Sequence, residues 1–156
     1  MLSDMAPSDV KVEEHIAAPA DKLYAMVSDI TRTGEWSPEN VGGRWIGAAT
    51  GPAVGARFRG SNRRGLRRWS TTCSVVAADP GRRFAFEVAF AGIKVARWSY
   101  EFEPDGGGTL VTETWTDRRP RWFATAARPV MGIPDMRAHN EKNMRATLAK
   151  LREAAT

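Results

Sequence analysis

The chain has 156 residues, 42% of them hydrophobic, enough to bury a sizeable core in one domain, and it contains no run of roughly 18 consecutive apolar residues that would cross a membrane. A single cysteine, Cys73, excludes an intrachain disulfide and a cysteine-based zinc site, which fits a reducing compartment. The net charge of +5 comes mainly from arginine, in Arg-Arg pairs that begin at 63, 67, 82 and 118. Pairs so far apart read as compositional bias rather than as a specific nucleic-acid surface. Attraction to phosphate or to anionic lipid head groups is the functional alternative.

The N-terminal stretch MLSDMAPSDVKVEE carries acids and no apolar run, so the expectation is an unexported, cytoplasmic protein. VKVEEHI then alternates, with Val10, Val12 and Ile16 on one face, and predicts a strand that ends at Ala-Ala-Pro. Pro19 suits a first helical turn, and Leu23, Tyr24, Met26 and Val27 follow at helical spacing. Asp29 has the character of a cap for a second short helix that Gly34 and Pro38 end.

From 41 to 117 the chain reads as six strands separated by turn-rich segments such as ADPG and PDGGG, which favours an antiparallel meander. Alternation puts Trp69, Thr71, Cys73 and Val75 on one face of their strand. It does the same for Phe84, Phe86, Val88 and Phe90, and for Ala96, Trp98, Tyr100 and Phe102. In GGTLVTETWTD the same rule groups Val111, Glu113 and Trp115, so a carboxylate shares a face with two large apolar groups.

The period then changes. Residues 118–132 read as a broken helical segment, interrupted by Pro120, Pro129 and Gly132. From 134 to 154 one long helix is predicted, with Met136, Asn140, Asn143, Met144, Thr147, Leu148 and Leu151 along one face. The C-terminal half of that stripe is greasy; its N-terminal half carries asparagines, with His139 at the edge. Element order alone therefore gives an α+β domain in which the sheet curls around one long helix.

The opening VKVEEHIAAPADKLYAMVSDI, together with FAFEV, WSYEFEP and VTETW, is similar to the START-like and polyketide cyclase/dehydrase superfamily. The resemblance runs from about residue 10 to 153 of a single domain spanning 1–156. It implies a helix-grip fold: a seven-stranded curved antiparallel sheet wrapped around the C-terminal helix, two short helices after the first strand, and a cavity between helix and sheet. That superfamily holds binding proteins and aromatase/cyclases alike, so the chemistry has to be argued from the residues.

The concave face predicts a ligand cavity lined by Trp69, Phe84, Phe86, Trp98, Tyr100, Glu113, Trp115, Met136, Asn140 and Asn143, with Trp36 and residues 120–132 near its mouth as a gate. A carboxylate there must be paired, hydrogen-bonded or protonated; Asn140, Asn143, Tyr100, Arg57 and Arg97 are its candidate partners. His15 is expected on the surface and Cys73 as a small buried apolar residue.

The histidines and the lone cysteine have no metal-ligand spacing, and no phosphate loop, dinucleotide motif or GxSxG is present, so neither metal nor cofactor is expected. Two functions remain. One is binding or transport of a small hydrophobic or amphipathic ligand, such as a lipid, a polyketide or an aromatic metabolite. The other is a cyclase-type enzyme in which Glu113 works with Tyr100 or His139 as acid and base. No specific nucleic acid is expected as a partner, and a transient membrane-surface contact and the oligomeric state stay open.

Overall fold

The computed structural model describes residues 9–123 and 135–156. Strand β1 (Asp9–Ile16) buries Val10, Val12 and Ile16 and leaves Lys11, Glu13 and His15 exposed, as a two-residue period requires. Pro19, with φ −65°, leads into α1 (Ala20–Ser28), whose Leu23, Tyr24, Met26 and Val27 are buried. Asp29 caps the following 3-10 helix (Ile30–Glu35): its carboxylate accepts from the Thr31 amide at 3.2 Å and from the Thr31 hydroxyl at 2.6 Å. A Cβ at Gly34 would sit 2.7 Å from the Val41 carbonyl oxygen, so only glycine lets this helix lie so close to the next strand.

The remaining strands are β2 (Asn40–Trp45), β3 (Arg57–Arg64), β4 (Arg67–Asp79), β5 (Arg83–Phe90), β6 (Ile93–Asp105) and β7 (Gly108–Asp117). They form one antiparallel sheet in the order β1-β7-β6-β5-β4-β3-β2, a meander from β2 to β7 with β1 returning to pair with β7. Register shifts at Asn40/Gly42, Val75/Ala77 and Val88/Ala89 add to the curvature. Phe90, expected in the apolar wall, is the last residue of β5 and is 41% exposed at the β5–β6 hairpin.

Helix α2 (Met136–Ala155) starts where the Asp135 carboxylate accepts from the Ala138 amide at 3.1 Å, two residues after the expected start. It packs chiefly on β1, with lesser contacts to β7 and α1. Met144, Leu148 and Leu151 are fully enclosed there. Two polar ties hold its C-terminal end: Arg152 donates to Glu14 at 2.6 Å, and the Lys22 ammonium donates to the Ala155 carbonyl at 2.8 Å. Between α1 and the sheet, Tyr24 meets the rings of Phe84 and Phe102 edge-on, with centroids at 6.3 and 6.1 Å.

This is the α+β domain expected from the element order, in the helix-grip form that the resemblance implies. The broken segment expected over 118–132 is irregular at 118–120 and helical at 121–123; residues 124–132, and with them most of the expected gate, lie outside the described residues. Among the described residues, no helix is long and apolar enough to cross a membrane.

Leu148 has no exposed surface and ties α2 to the sheet. Leu148→Ala is expected to lower the unfolding free energy by about 2–5 kcal/mol, read as a lower urea midpoint at unchanged m-value.

Candidate functional site

The alternation of β7 sets the site. Val111, Glu113 and Trp115 are 0%, 2% and 3% exposed, while Leu110, Thr112, Thr114 and Thr116 on the other face are half-buried. In register, Glu113 lies between Val12 of β1 and Tyr100 of β6, and Trp115 lies between Val10 and Trp98. The wall continues through Phe84, opposite Tyr100, and Phe86, opposite Trp98, to Cys73 and Val75 of β4. One carboxyl group is thus set into an aromatic surface.

Its partner is Tyr100, whose hydroxyl donates to Glu113 Oε2 at 2.7 Å. Among the described residues, Glu113 Oε1 is buried without a hydrogen-bond partner. Burial raises the Glu113 pKa from 4.5 to about 8, and the Tyr100 hydrogen bond offsets only part of that rise. Burial, the nearby carboxyl and the same hydrogen bond all hold the phenol proton in place, well above the usual tyrosine range. Near neutral pH the site is therefore an uncharged carboxylic acid beside an uncharged phenol.

The arginines considered as partners face elsewhere. Arg97 donates to Glu87 at 2.6 Å, Glu87 also meets Lys94 at 3.2 Å, and Arg57 lines a separate cavity of about 300 Å³ beside Glu87 and Lys94. The Arg97 hydrogen bond leads the causes that hold Glu87 below the usual carboxylate range. Asn143 contributes its amide to His139, at 3.2 Å, rather than to Glu113.

A cavity of about 360 Å³ opens between the N-terminal half of α2 and the β2–β3 edge, lined by Pro38, Glu39, Val41, Arg63, Arg64, Gly65, His139 and Asn143. At this mouth His139 Nε2 faces both Glu39 Oε1 and, at 3.2 Å, Asn143 Nδ2, so this one ring nitrogen either donates to the carboxylate or accepts from the amide. Arg64 both lines the mouth and lies over the Trp69 ring, 5.7 Å from its centroid.

Of the expected lining residues, Phe84, Tyr100, Glu113, Trp115 and Asn140 are buried, and Trp69, Phe86, Trp98, Met136 and Asn143 are half-buried. Trp36 is 2% exposed and belongs to the core, with Arg32 stacked over it at 5.2 Å. Glu39, Val41, Arg63 and Arg64 were not singled out from the sequence. The NRRGLRR turn was the available signal, but nothing local tells that it faces a helix some 75 residues later.

Cys73 is buried, with its thiol pushed up to about 12 by loss of solvation, so it is no thiolate nucleophile. Among the described residues no group of three His, Cys, Asp or Glu side chains could hold a metal ion. His15, half exposed, hydrogen-bonds the Asp105 carbonyl at 2.9 Å at the sheet edge.

A curved antiparallel sheet gripping one long helix, with one neutral acid in its aromatic wall, defines an α+β helix-grip domain. The chain belongs to the family described as polyketide cyclase/dehydrase and lipid transport, whose model matches residues 7–156. It is 33% identical to the Polyketide_cyc-like protein Cgl2372 from Corynebacterium glutamicum, over 96% of this chain and 93% of that one, with a TM-score of 0.66.

Protein CV1439 from Chromobacterium violaceum has the same fold at 14% identity, with a TM-score of 0.72 over 96% of this chain and 98% of that one. So does the di-domain ARO/CYC StfQ of the steffimycin biosynthetic pathway, at 14% identity and a TM-score of 0.70, over 95% of this chain and 50% of that one. No curated protein matches the chain. Family and fold together support a ligand-binding or cyclase-type role.

The Glu113 shift has a definite sign. Below pH 4.5 both folded and unfolded chains carry the proton; between 4.5 and about 8 the unfolded chain ionises and the folded one does not. Stability from this group is full below 4.5 and declines by roughly 1.4 kcal/mol per pH unit until pH passes about 8. Melting temperatures from pH 5 to 9 should fall for the parent protein relative to Glu113→Gln, which has no proton to lose. Tyr100→Phe, which removes the hydrogen bond favouring the ionised form, should move the end of the decline to higher pH.

Proposed function

We propose that the protein binds and carries a small, uncharged hydrophobic or amphipathic molecule, of the size of a lipid chain, a polyketide or an aromatic metabolite, against the concave face of the sheet. The observation that carries this reading is Glu113: a buried neutral acid in an aromatic wall, with Oε1 unpartnered among the described residues. An unsatisfied buried polar atom costs about 1–3 kcal/mol, which a ligand hydroxyl or carbonyl would recover. Trp69, Phe86, Trp98 and Met136, which keep partial exposure, would provide the apolar contact. Asn143 and His139 would meet the polar end of the ligand at the mouth.

A second reading is enzymatic, and two observations favour it: the neutral acid of Glu113, and the His139–Glu39 pair at the mouth. In an aldol closure the base would take a proton from the carbon beside one carbonyl, and that carbon would bond to a second carbonyl carbon. Glu113, backed by Tyr100, would give a proton to the oxygen of that second carbonyl. Loss of water would follow, with the enclosed wall holding the chain folded.

Native mass spectrometry of freshly purified protein, and quenching of tryptophan fluorescence by a neutral polycyclic probe, test the binding reading. A ligand adduct that is lost on denaturation is expected. Glu113→Gln should keep probe affinity within about threefold, since the amide reproduces a neutral acid, and Trp98→Ala should lower it by about tenfold or more. Loss of turnover of about a hundredfold in Glu113→Gln, with probe binding intact, would select the enzyme. Absence of both adduct and quenching rejects the two readings together.

A further inference from the structure

Seven of the 23 basic residues and none of the 18 acidic ones lie between positions 40 and 78, so β2, β3 and nearly all of β4 carry charge of one sign. The charge is densest at the β3–β4 hairpin, where the register sets Arg63 opposite Arg68 and Arg64 opposite Arg67. Like charges directly opposed across antiparallel strands repel. The connecting turn is Gly65–Leu66, and Gly65 has φ +61°, which a tight two-residue hairpin turn demands at its first position. So short a turn holds Leu66 outward, where it is 99% exposed.

Val41, 58% exposed, lies beside this tip and lines the mouth cavity with Arg63, Arg64 and Gly65. The tip thus presents a wholly exposed leucine among four arginines, an apolar group and a cationic cluster on one surface. One kind of surface satisfies both: a bilayer whose anionic head groups meet the guanidinium groups while the leucine enters the acyl boundary. A nucleic acid would answer the arginines and leave Leu66 without a partner surface.

We propose that the tip of the β3–β4 hairpin docks the protein on an anionic lipid bilayer, with Leu66 inserted and Arg63, Arg67 and Arg68 at the head groups. The mouth cavity then opens at the membrane. Docking rests on the ligand-binding reading only for its purpose, which is to let an apolar ligand enter or leave the mouth without crossing water.

Sedimentation of the full chain with vesicles tests this, using phosphatidylcholine alone and a phosphatidylcholine–phosphatidylglycerol mixture. Binding to the anionic vesicles and not to the neutral ones is expected. Arg67→Gln with Arg68→Gln should weaken it by about twentyfold, and Leu66→Ser by about tenfold. The exposed pair Arg82 and Arg83, changed to Gln, should leave it within about twofold. Equal partition onto both vesicle types, no partition at all, or an unchanged Leu66→Ser overturns the proposal. So does binding to a DNA duplex that Leu66→Ser leaves intact when vesicles are not bound. Ligand adducts and probe quenching are followed in parallel: either of them without vesicle binding rejects docking alone, and vesicle binding with neither supports docking and removes the ligand reading.

Discussion

The concave face of a curled seven-stranded sheet has to be covered, and α2 has the apolar residues to cover only part of it. Met144, Leu148 and Leu151 run from its middle toward its C-terminal end, where Arg152 and the Ala155 carbonyl also tie it to β1 and α1. Each such buried aliphatic side chain contributes about 1.5–3 kcal/mol, so this end is held firmly. The N-terminal half presents His139, Asn140 and Asn143 instead, and polar side chains of this kind cannot close an apolar wall without partners of their own. One end of the grip is therefore a solid core built on Phe84, Phe102 and Tyr24, and the other is a mouth.

Glu113 is buried in the wall between Val12 and Tyr100, and relative magnitudes decide its state. A hydrogen bond from a tyrosine hydroxyl to a carboxylate is worth about 1.5–3 kcal/mol. The effective penalty for burying an ion is several kcal/mol, and no cation among the described residues reaches this carboxyl to repay it. Desolvation wins, and the group keeps its proton. Glu87 shows the opposite outcome on the other face: solvent is near, Arg97 donates at 2.6 Å, Lys94 is 3.2 Å away, and the carboxylate stays ionised. Two glutamates of one sheet, on β5 and β7, thus hold different charges because the sheet has a dry side and a wet one.

Charge is also segregated along the sheet. Glu87 gathers Lys94, Arg97 and Arg118 within 4 Å, so the middle strands neutralise their arginines internally. The β2–β4 wing has no acid of its own between 40 and 78. Its field extends about one Debye length, roughly 8 Å at physiological salt, beyond the mouth that the same strands help to line.

The sequence by itself determined the strand and helix order, the inward direction of Val111, Glu113 and Trp115, and the greasy and wet halves of α2. These follow from periods of two and 3.6, which local backbone geometry imposes whatever the surroundings. Phe90 is 41% exposed although alternation put it in the wall, because it ends β5 at the β5–β6 hairpin. The partner of Glu113 was legible only as a set of candidates. Tyr100, rather than Arg97 or an asparagine, is the partner because the β6–β7 register places it directly opposite. His139 could be seen at the edge of a stripe, but Glu39, a hundred positions away, and the Arg63–Gly65 corner come to it only when the sheet curls round the helix. Alternation states which way a side chain points; what it meets there depends on pairing between distant segments, and that is a property of the folded chain alone.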